Sequence, residues 1–140
     1  QIQVAMFLDE CEEFNVTPVQ FGVLTTLYDE DTLDQSSIAG QLGVDRVTVA
    51  DVIRRLEKQE LLTRPPSVKD KRAKLARITD KGRKLVDAVH PAMVKAQHRL
   101  TNPLNAEERS RLMELMRKLV EENNDESRTP MHQNGKNWNT

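Results

Sequence analysis

Apolar residues recur along this chain at spacings of three and four, the pattern of helices that each bury one face. Val4, Phe7, Leu8 and Cys11 share one side of residues 4–14, which predicts the end of an amphipathic helix broken at Asn15 and Val16. Thr17-Pro18-Val19-Gln20 then carries a helix start: a capping threonine, a proline suited to the first helical position, and a glutamine where a capping box needs one. This second helix runs through Phe21, Leu24, Leu27 and Tyr28 to an acidic turn, Asp29-Glu30-Asp31. Asp34 caps a short third helix, Gln35 to Leu42, with Ile38, Ala39 and Leu42 inward and Gly43 as its stop. Asp45 caps a fourth helix ending near Gln59. Its Val49, Val52, Ile53 and Leu56 form one stripe, while Arg46, Thr48, Asp51, Arg54 and Arg55 lie on the other side.

The period then changes. Leu61 to Arg64 and Lys74 to Ile78 are short strand-like runs, and the prolines Pro65 and Pro66 suit the edge of a hairpin between them. Thr79 caps a long helix, Asp80 to about Leu100, with Leu85, Val89, Met93, Ala96 and Leu100 spaced for packing and a place for a kink at His90-Pro91. Asn102-Pro103 interrupts the chain. Asn105 to Glu108 opens a last helix that runs to about Asn123 through Leu112, Leu115, Met116, Leu119 and Val120. Residues 124–140 are polar, and disorder is expected there. The pattern predicts a single domain over residues 1–123, mainly α with a small β-hairpin, with no repeat and no linker.

Composition adds three constraints. The length of 140 residues suits one domain with its own core. No apolar run approaches the ~18 residues of a membrane span, and the acidic start lacks the basic region of a signal peptide. The single cysteine, Cys11, has no internal partner for a disulfide, which fits a reducing, cytoplasmic setting. The net charge of -1 conceals a partition. Residues 1–45 hold nine acidic side chains and no lysine or arginine, whereas residues 46–84 hold 13 basic and 5 acidic ones, a net of +8. A polyanionic partner for that middle segment follows from the asymmetry; a solvated helical face is the plainer alternative.

The middle segment has the parts of a winged helix-turn-helix over residues 17–79. Two short helices meet at Gly43-Val44, and the second presents Arg46, Thr48, Asp51, Arg54 and Arg55 outward. From such a helix, an arginine can bond guanine O6 and N7 in the major groove and an aspartate can accept from cytosine N4. Ser36 and Ser37, at the start of the third helix, are candidates to hold a phosphate. The loop between the strands contains Lys69, Asp70, Lys71, Arg72 and Lys74. Arg72 is the candidate for the minor groove, with Asp70 fixing its guanidinium and the lysines over phosphates. A surface turn with one exposed ion pair is the competing reading. No metal-ligand spacing, glycine-rich phosphate loop or nucleophile motif points to an enzyme, a metal or a cofactor. A winged helix that binds protein instead of DNA would not need cations on both helix and loop.

The ordered set of motifs resembles the MarR (multiple antibiotic resistance regulator) family over about residues 15–120. NVTPVQFGVL resembles the family's second-helix opening, SSIAGQLGV its third helix, Asp70-Lys71-Arg72 its D-x-R wing signature, and Ile78 to Gly82 its hinge into the dimerisation helix. The resemblance implies a homodimer that binds palindromic duplex DNA, represses, and is released by a small effector or an oxidant. It assigns dimerisation to helices from both chain ends, residues 1–14, 80–100 and 105–123. It also implies an aromatic-acid pocket between the dimer helices and the winged domain, for which Phe7, Phe14, Phe21, Tyr28 and His90 are candidate linings. Family sequences often place a basic residue at Asp51 and an acidic one at Arg54, so base preference at those positions departs from the pattern. Family oxidant sensors carry their cysteine far earlier than Cys11, and the acids Glu10, Glu12 and Glu13 oppose a thiolate there. An inert cysteine is the favoured reading, with the oxidant sensor as the alternative.

Overall fold

The computed structural model describes residues 2–69 and 72–123. Six helices and three short strands follow in the order α1 (Ile2–Cys11), α2 (Pro18–Glu30), β1 (Thr32–Asp34), α3 (Gln35–Leu42), α4 (Arg46–Lys58), β2 (Leu62–Thr63), β3 (Leu75–Ile78), α5 (Asp80–Thr101) and α6 (Ala106–Asn123). A single 3-10 turn, Glu12–Phe14, follows α1. The fold is therefore mainly α with a small sheet, as the periodicity implies. The expected disorder of residues 124–140 concerns a segment outside the described residues.

The helix boundaries come from local chemistry. The Thr17 side chain accepts from the Gln20 N–H while Gln20 Oε1 accepts from the Thr17 N–H at 2.9 Å, a complete capping box ahead of Pro18. Asp34 caps α3, Asp45 caps α4 and Thr79 caps α5. Asn105 and Glu108 bond reciprocally ahead of α6. Gly43 closes α3 at φ 63°, a conformation that glycine adopts without the strain a Cβ brings. Helix α5 continues through Pro91 to Thr101.

The sheet has one strand more than the sequence pattern suggests. β3 is central, with β1 antiparallel on one side (Leu33 opposite Ala76) and β2 on the other (Leu62 opposite Ile78). β1 grows out of the predicted acidic turn. Asp31 ends α2 at φ 62°, a region uncommon for a residue with a Cβ. It is held there by Arg83 at 2.8 Å, by Arg77 at 3.4 Å, and by its carbonyl, which accepts from the Ile78 N–H.

The core joins α1, α2, α3, α4, the sheet and α5 through Phe7, Cys11, Phe21, Leu24, Leu27, Ile38, Ile53, Leu56, Leu62, Ala76, Ile78 and Val89, among others. Two expectations change here. In α1, Val4 and Leu8 are exposed, and only Phe7 and Cys11 of their stripe are buried. In α5, Val86 is buried while Leu100 is exposed. Helix α6 buries no side chain.

Gly82 marks the tightest joint. A Cβ there would lie 2.2 Å from the Leu61 carbonyl oxygen and 2.8 Å from Ile78 Cγ1. Alanine gains about 1 kcal/mol over glycine within a helix, but a backbone carbonyl cannot rotate aside as a flexible side chain would. Gly82→Ala is therefore expected to lower stability by about 1–3 kcal/mol, measured by denaturant unfolding. An unchanged midpoint would show that α5 slides off β2 without cost.

Candidate nucleic-acid interface

Helix α4 is held by its apolar stripe. Val49, Val52, Ile53 and Leu56 are all buried, as the spacing implies, and the opposite face is left in solvent. The Asp45 carboxylate accepts from the Thr48 N–H at 2.9 Å and from the Thr48 hydroxyl. Thr48 thus serves the cap as well as the exposed face. The Thr48 hydroxyl and amides at the helix start hold the Asp45 carboxyl below its ordinary pKa.

The charged residues of this face do not act separately. Asp51 bridges Arg54 at 2.6 Å and Arg55 at 2.7 Å, one turn on along the helix. The hydrogen-bonded Arg54, with Arg55 beside it, holds the Asp51 carboxyl below the usual carboxylate range. Asp51 thus meets two cations before any base arrives. Its lone pairs face the arginines, so its first role is to aim them. Arg46 is exposed at the head of the helix, and its carbonyl accepts from Gln35 Nε2 of α3 at 3.4 Å.

The other candidates fall as follows. The Ser36 and Ser37 amides both donate to Asp34 Oδ1, at 2.9 and 3.0 Å, and the Ser37 hydroxyl donates to Asp34 Oδ2. Burial pushes the Asp34 carboxyl up, but those hydrogen bonds hold it below its ordinary pKa, so it stays ionised. A phosphate would have to displace an anion that already holds these amides, which leaves Ser36's exposed side chain as the contact group there. In the wing, Lys69, Arg72 and Lys74 are exposed. Asp70 and Lys71 lie outside the described residues. The Lys74 carbonyl accepts from the Gln35 N–H at 2.9 Å, tying the wing to α3.

The five aromatic and histidine candidates are spread over α1, the turn after it, α2 and α5. Phe7 and Phe21 pack on each other in the core, ring centroids 6.1 Å apart, and Phe14 is half-buried. The Tyr28 hydroxyl donates to Asp87 at 2.8 Å under the Arg83 guanidinium, and His90 is exposed on α5. A groove of about 780 Å³ lies elsewhere, between the end of α1, the start of α2 and the end of α4. Leu8, Cys11, Val16, Gln20, Arg55 and Lys58 contribute to it. Its residues share no sequence motif, which is why the pattern did not reveal it. Cys11 is 1% exposed, and burial together with Glu10 pushes its thiol pKa up, which opposes the thiolate that oxidant sensing needs. Val47 and Val68 are 81% and 98% exposed, and an outward valine carries neither charge nor a periodic signal that would mark it in the sequence.

Among the described residues no cluster of His, Cys, Asp or Glu could hold a metal ion, and no helix is long and apolar enough to cross a membrane. A capped helix pair, an outward cationic helix and a sheet-based wing define a winged helix-turn-helix protein. The model of the MarR family matches residues 16–74. The chain is 28% identical over 121 residues to the transcriptional repressor NicR of Pseudomonas putida, covering 86% of this chain and 77% of NicR. It is 30% identical over 109 residues to YkoM, an uncharacterized HTH-type transcriptional regulator of Bacillus subtilis, covering 78% and 71%. Its fold superposes on BpsR of Bordetella bronchiseptica, whose DNA binding is regulated by 6-hydroxynicotinic acid, with a TM-score of 0.78 and 30% identity over 84% of this chain and 89% of that one. The chain belongs to the MarR family: it is a DNA-binding transcriptional regulator and not an enzyme.

Removing the Asp51 carboxylate releases both arginines and removes one negative charge from the exposed side of α4. Asp51→Ala is expected to raise affinity for arbitrary duplex DNA and to steepen its salt dependence by about one counterion. Equal salt slopes for the two proteins in fluorescence-anisotropy titrations would mean that the triad does not face the duplex.

Proposed function

We propose that this protein represses transcription as a homodimer on a palindromic operator, with α4 in the major groove, the wing in the adjacent minor groove, and release by a small aromatic acid. The observation that carries this reading is the outward face of α4, where Arg54 and Arg55 keep 57% and 64% of their side-chain surface exposed around a shared aspartate. Cations held this way contact phosphates and base edges at a smaller entropy cost than free side chains do. Arg46 and Thr48 stand at the helix start, where base edges are nearest. In this reading Arg72 enters the minor groove, Asp70 steadies it, and Lys69, Lys71 and Lys74 meet phosphates.

The effector reading moves from the aromatic residues to the groove. Arg55 and Lys58 supply cations for a carboxylate, and Leu8 and Val16 supply apolar wall for a ring. Arg55 borders the groove and also pairs with Asp51. A bound carboxylate would compete with Asp51 for this arginine and redistribute charge on the DNA-facing side. That couples the two sites through contacts three and four residues apart on one helix, with no need for a remote conformational wire.

The second copy is drawn by α6. Leu112, Leu115, Met116, Leu119 and Val120 are 38–64% exposed, and Ile2, Val4 and Leu8 of α1 add to the uncovered apolar surface.

In gel shifts across a salt series, the protein should bind its selected duplex with an affinity that falls steeply as salt rises. Arg72→Ala should weaken it by about 1–3 kcal/mol, and 6-hydroxynicotinic acid or a related hydroxylated aromatic acid should release it. Full affinity in the variant would remove the wing contact, and indifference to every acid would remove the effector reading. Leu119→Glu should convert a dimer to monomer in sedimentation velocity; a wild-type monomer would refute the homodimer.

A further inference from the structure

We propose that Val47 reads the 5-methyl group of a thymine in each operator half-site. The inference deepens the reading that α4 enters the major groove and rests on it. At about 100° per residue, the direction opposite the buried stripe Val49, Val52, Ile53 and Leu56 passes through Val47, Asp51, Arg54 and Lys58, at i, i+4, i+7 and i+11. Val47 is the member of this row in the first turn, the part of a recognition helix that comes closest to base edges. It is 81% exposed, whereas the other branched aliphatic residues of α4 are 0–9% exposed.

Among the described residues the core does not use the Val47 side chain. A β-branched residue lowers helix propensity, the cap at this end is made by Asp45 with Thr48, and Val47 is absent from the core. Arg46 adjoins it, and Arg54 and Arg55 stand further along the outward side with Asp51 shared between them, so the exposed side of α4 carries net positive charge and suits a polyanion. These arginines attract phosphate in any sequence, and Asp51 is occupied by two of them. The face therefore has an apolar group with one complementary feature in the major groove: the thymine C5 methyl, which cytosine lacks. Beside it lies a shallow depression of about 310 Å³ bordered by Val47, Thr48, Asp51, Val52 and Arg55 of α4 and by Thr17 and Gln20 at the start of α2, so Val47 and Val52 are the apolar part of an otherwise polar rim.

The test uses the full chain and the duplex that it selects from random DNA. Each thymine is replaced singly by deoxyuridine, which deletes the methyl and leaves every hydrogen-bonding group in place. At one position per half-site the wild type should lose roughly fourfold in affinity, the worth of one buried methyl group, and Val47→Ala should show no loss there. The melting temperature of Val47→Ala should be no lower than that of the wild type, since the side chain is in solvent and alanine is the better helix former. Indifference of the wild type to every replacement, or a Val47→Ala protein that keeps the same sensitivity, overturns the proposal, and so does a valine that matters only for a protein partner. Arg54→Ala separates the two levels. If it leaves affinity unchanged, α4 is not in the groove and both readings fall; if it weakens binding while thymine replacement does nothing, Val47 alone falls.

Discussion

Burial of Val49, Val52, Ile53 and Leu56 fixes the rotation of α4 about its own axis, and every residue of its exposed side inherits its direction from that constraint. Each such side chain contributes about 1.5–3 kcal/mol when removed from water. An exposed ion pair on the far side contributes ~0–1 kcal/mol. The core therefore sets the orientation, and the Asp51 triad only arranges side chains on a face already chosen. The Asp45 cap and the left-handed Gly43 fix where the helix begins, so the position of the face along the axis is determined as well as its rotation.

The wing is attached to this arrangement through β3. Ala76 and Ile78 are buried, and the strand is paired on both edges. Asp31 ties the end of α2 to β3 through Arg77 and to α5 through Arg83, while Gly82 lets the first turn of α5 touch the Leu61 carbonyl. Three elements distant in sequence thus meet within one hydrogen-bonded corner. A shift of α5 must move the base of the wing or break this corner. That gives a physical basis for coupling a dimer interface to DNA contact.

What the sequence made legible is what local chemistry decides alone. The caps at Thr17, Asp34, Asp45, Thr79 and Asn105 need only neighbours three residues away, and all formed where the spacing put them. The α4 stripe was legible because one face is fully buried and the other is not. β1 was not: three residues are too few to show a period, and Thr32 to Asp34 become a strand only because β3 arrives from 40 residues on. The engagement of the Ser36 and Ser37 amides was not legible for a related reason. A helix start offers N–H groups, but the same aspartate that marks the start consumes them. The groove at Arg55 and Lys58 escaped notice because it joins α1, α2 and α4, and no periodicity in one segment reports a gap between three.

Helix α6 poses the remaining energetic question. It has 18 residues and buries none of them. In proteins most helical stability comes from packing an amphipathic face and not from propensity, and its reciprocal Asn105–Glu108 cap adds only about 1 kcal/mol. Charge pairs such as Arg111–Glu114 on its surface add less. Local terms alone do not hold it folded. Its apolar residues at 112, 115, 116, 119 and 120 recur every three or four positions, so they form one stripe that can be covered all at once. The exposed apolar residues of α1 belong to the other end of the chain, yet they need cover as well. In the proposed homodimer a second copy of the chain answers both needs with a single two-fold operation, and the paired α4 helices take the fixed relation that a palindromic site would require.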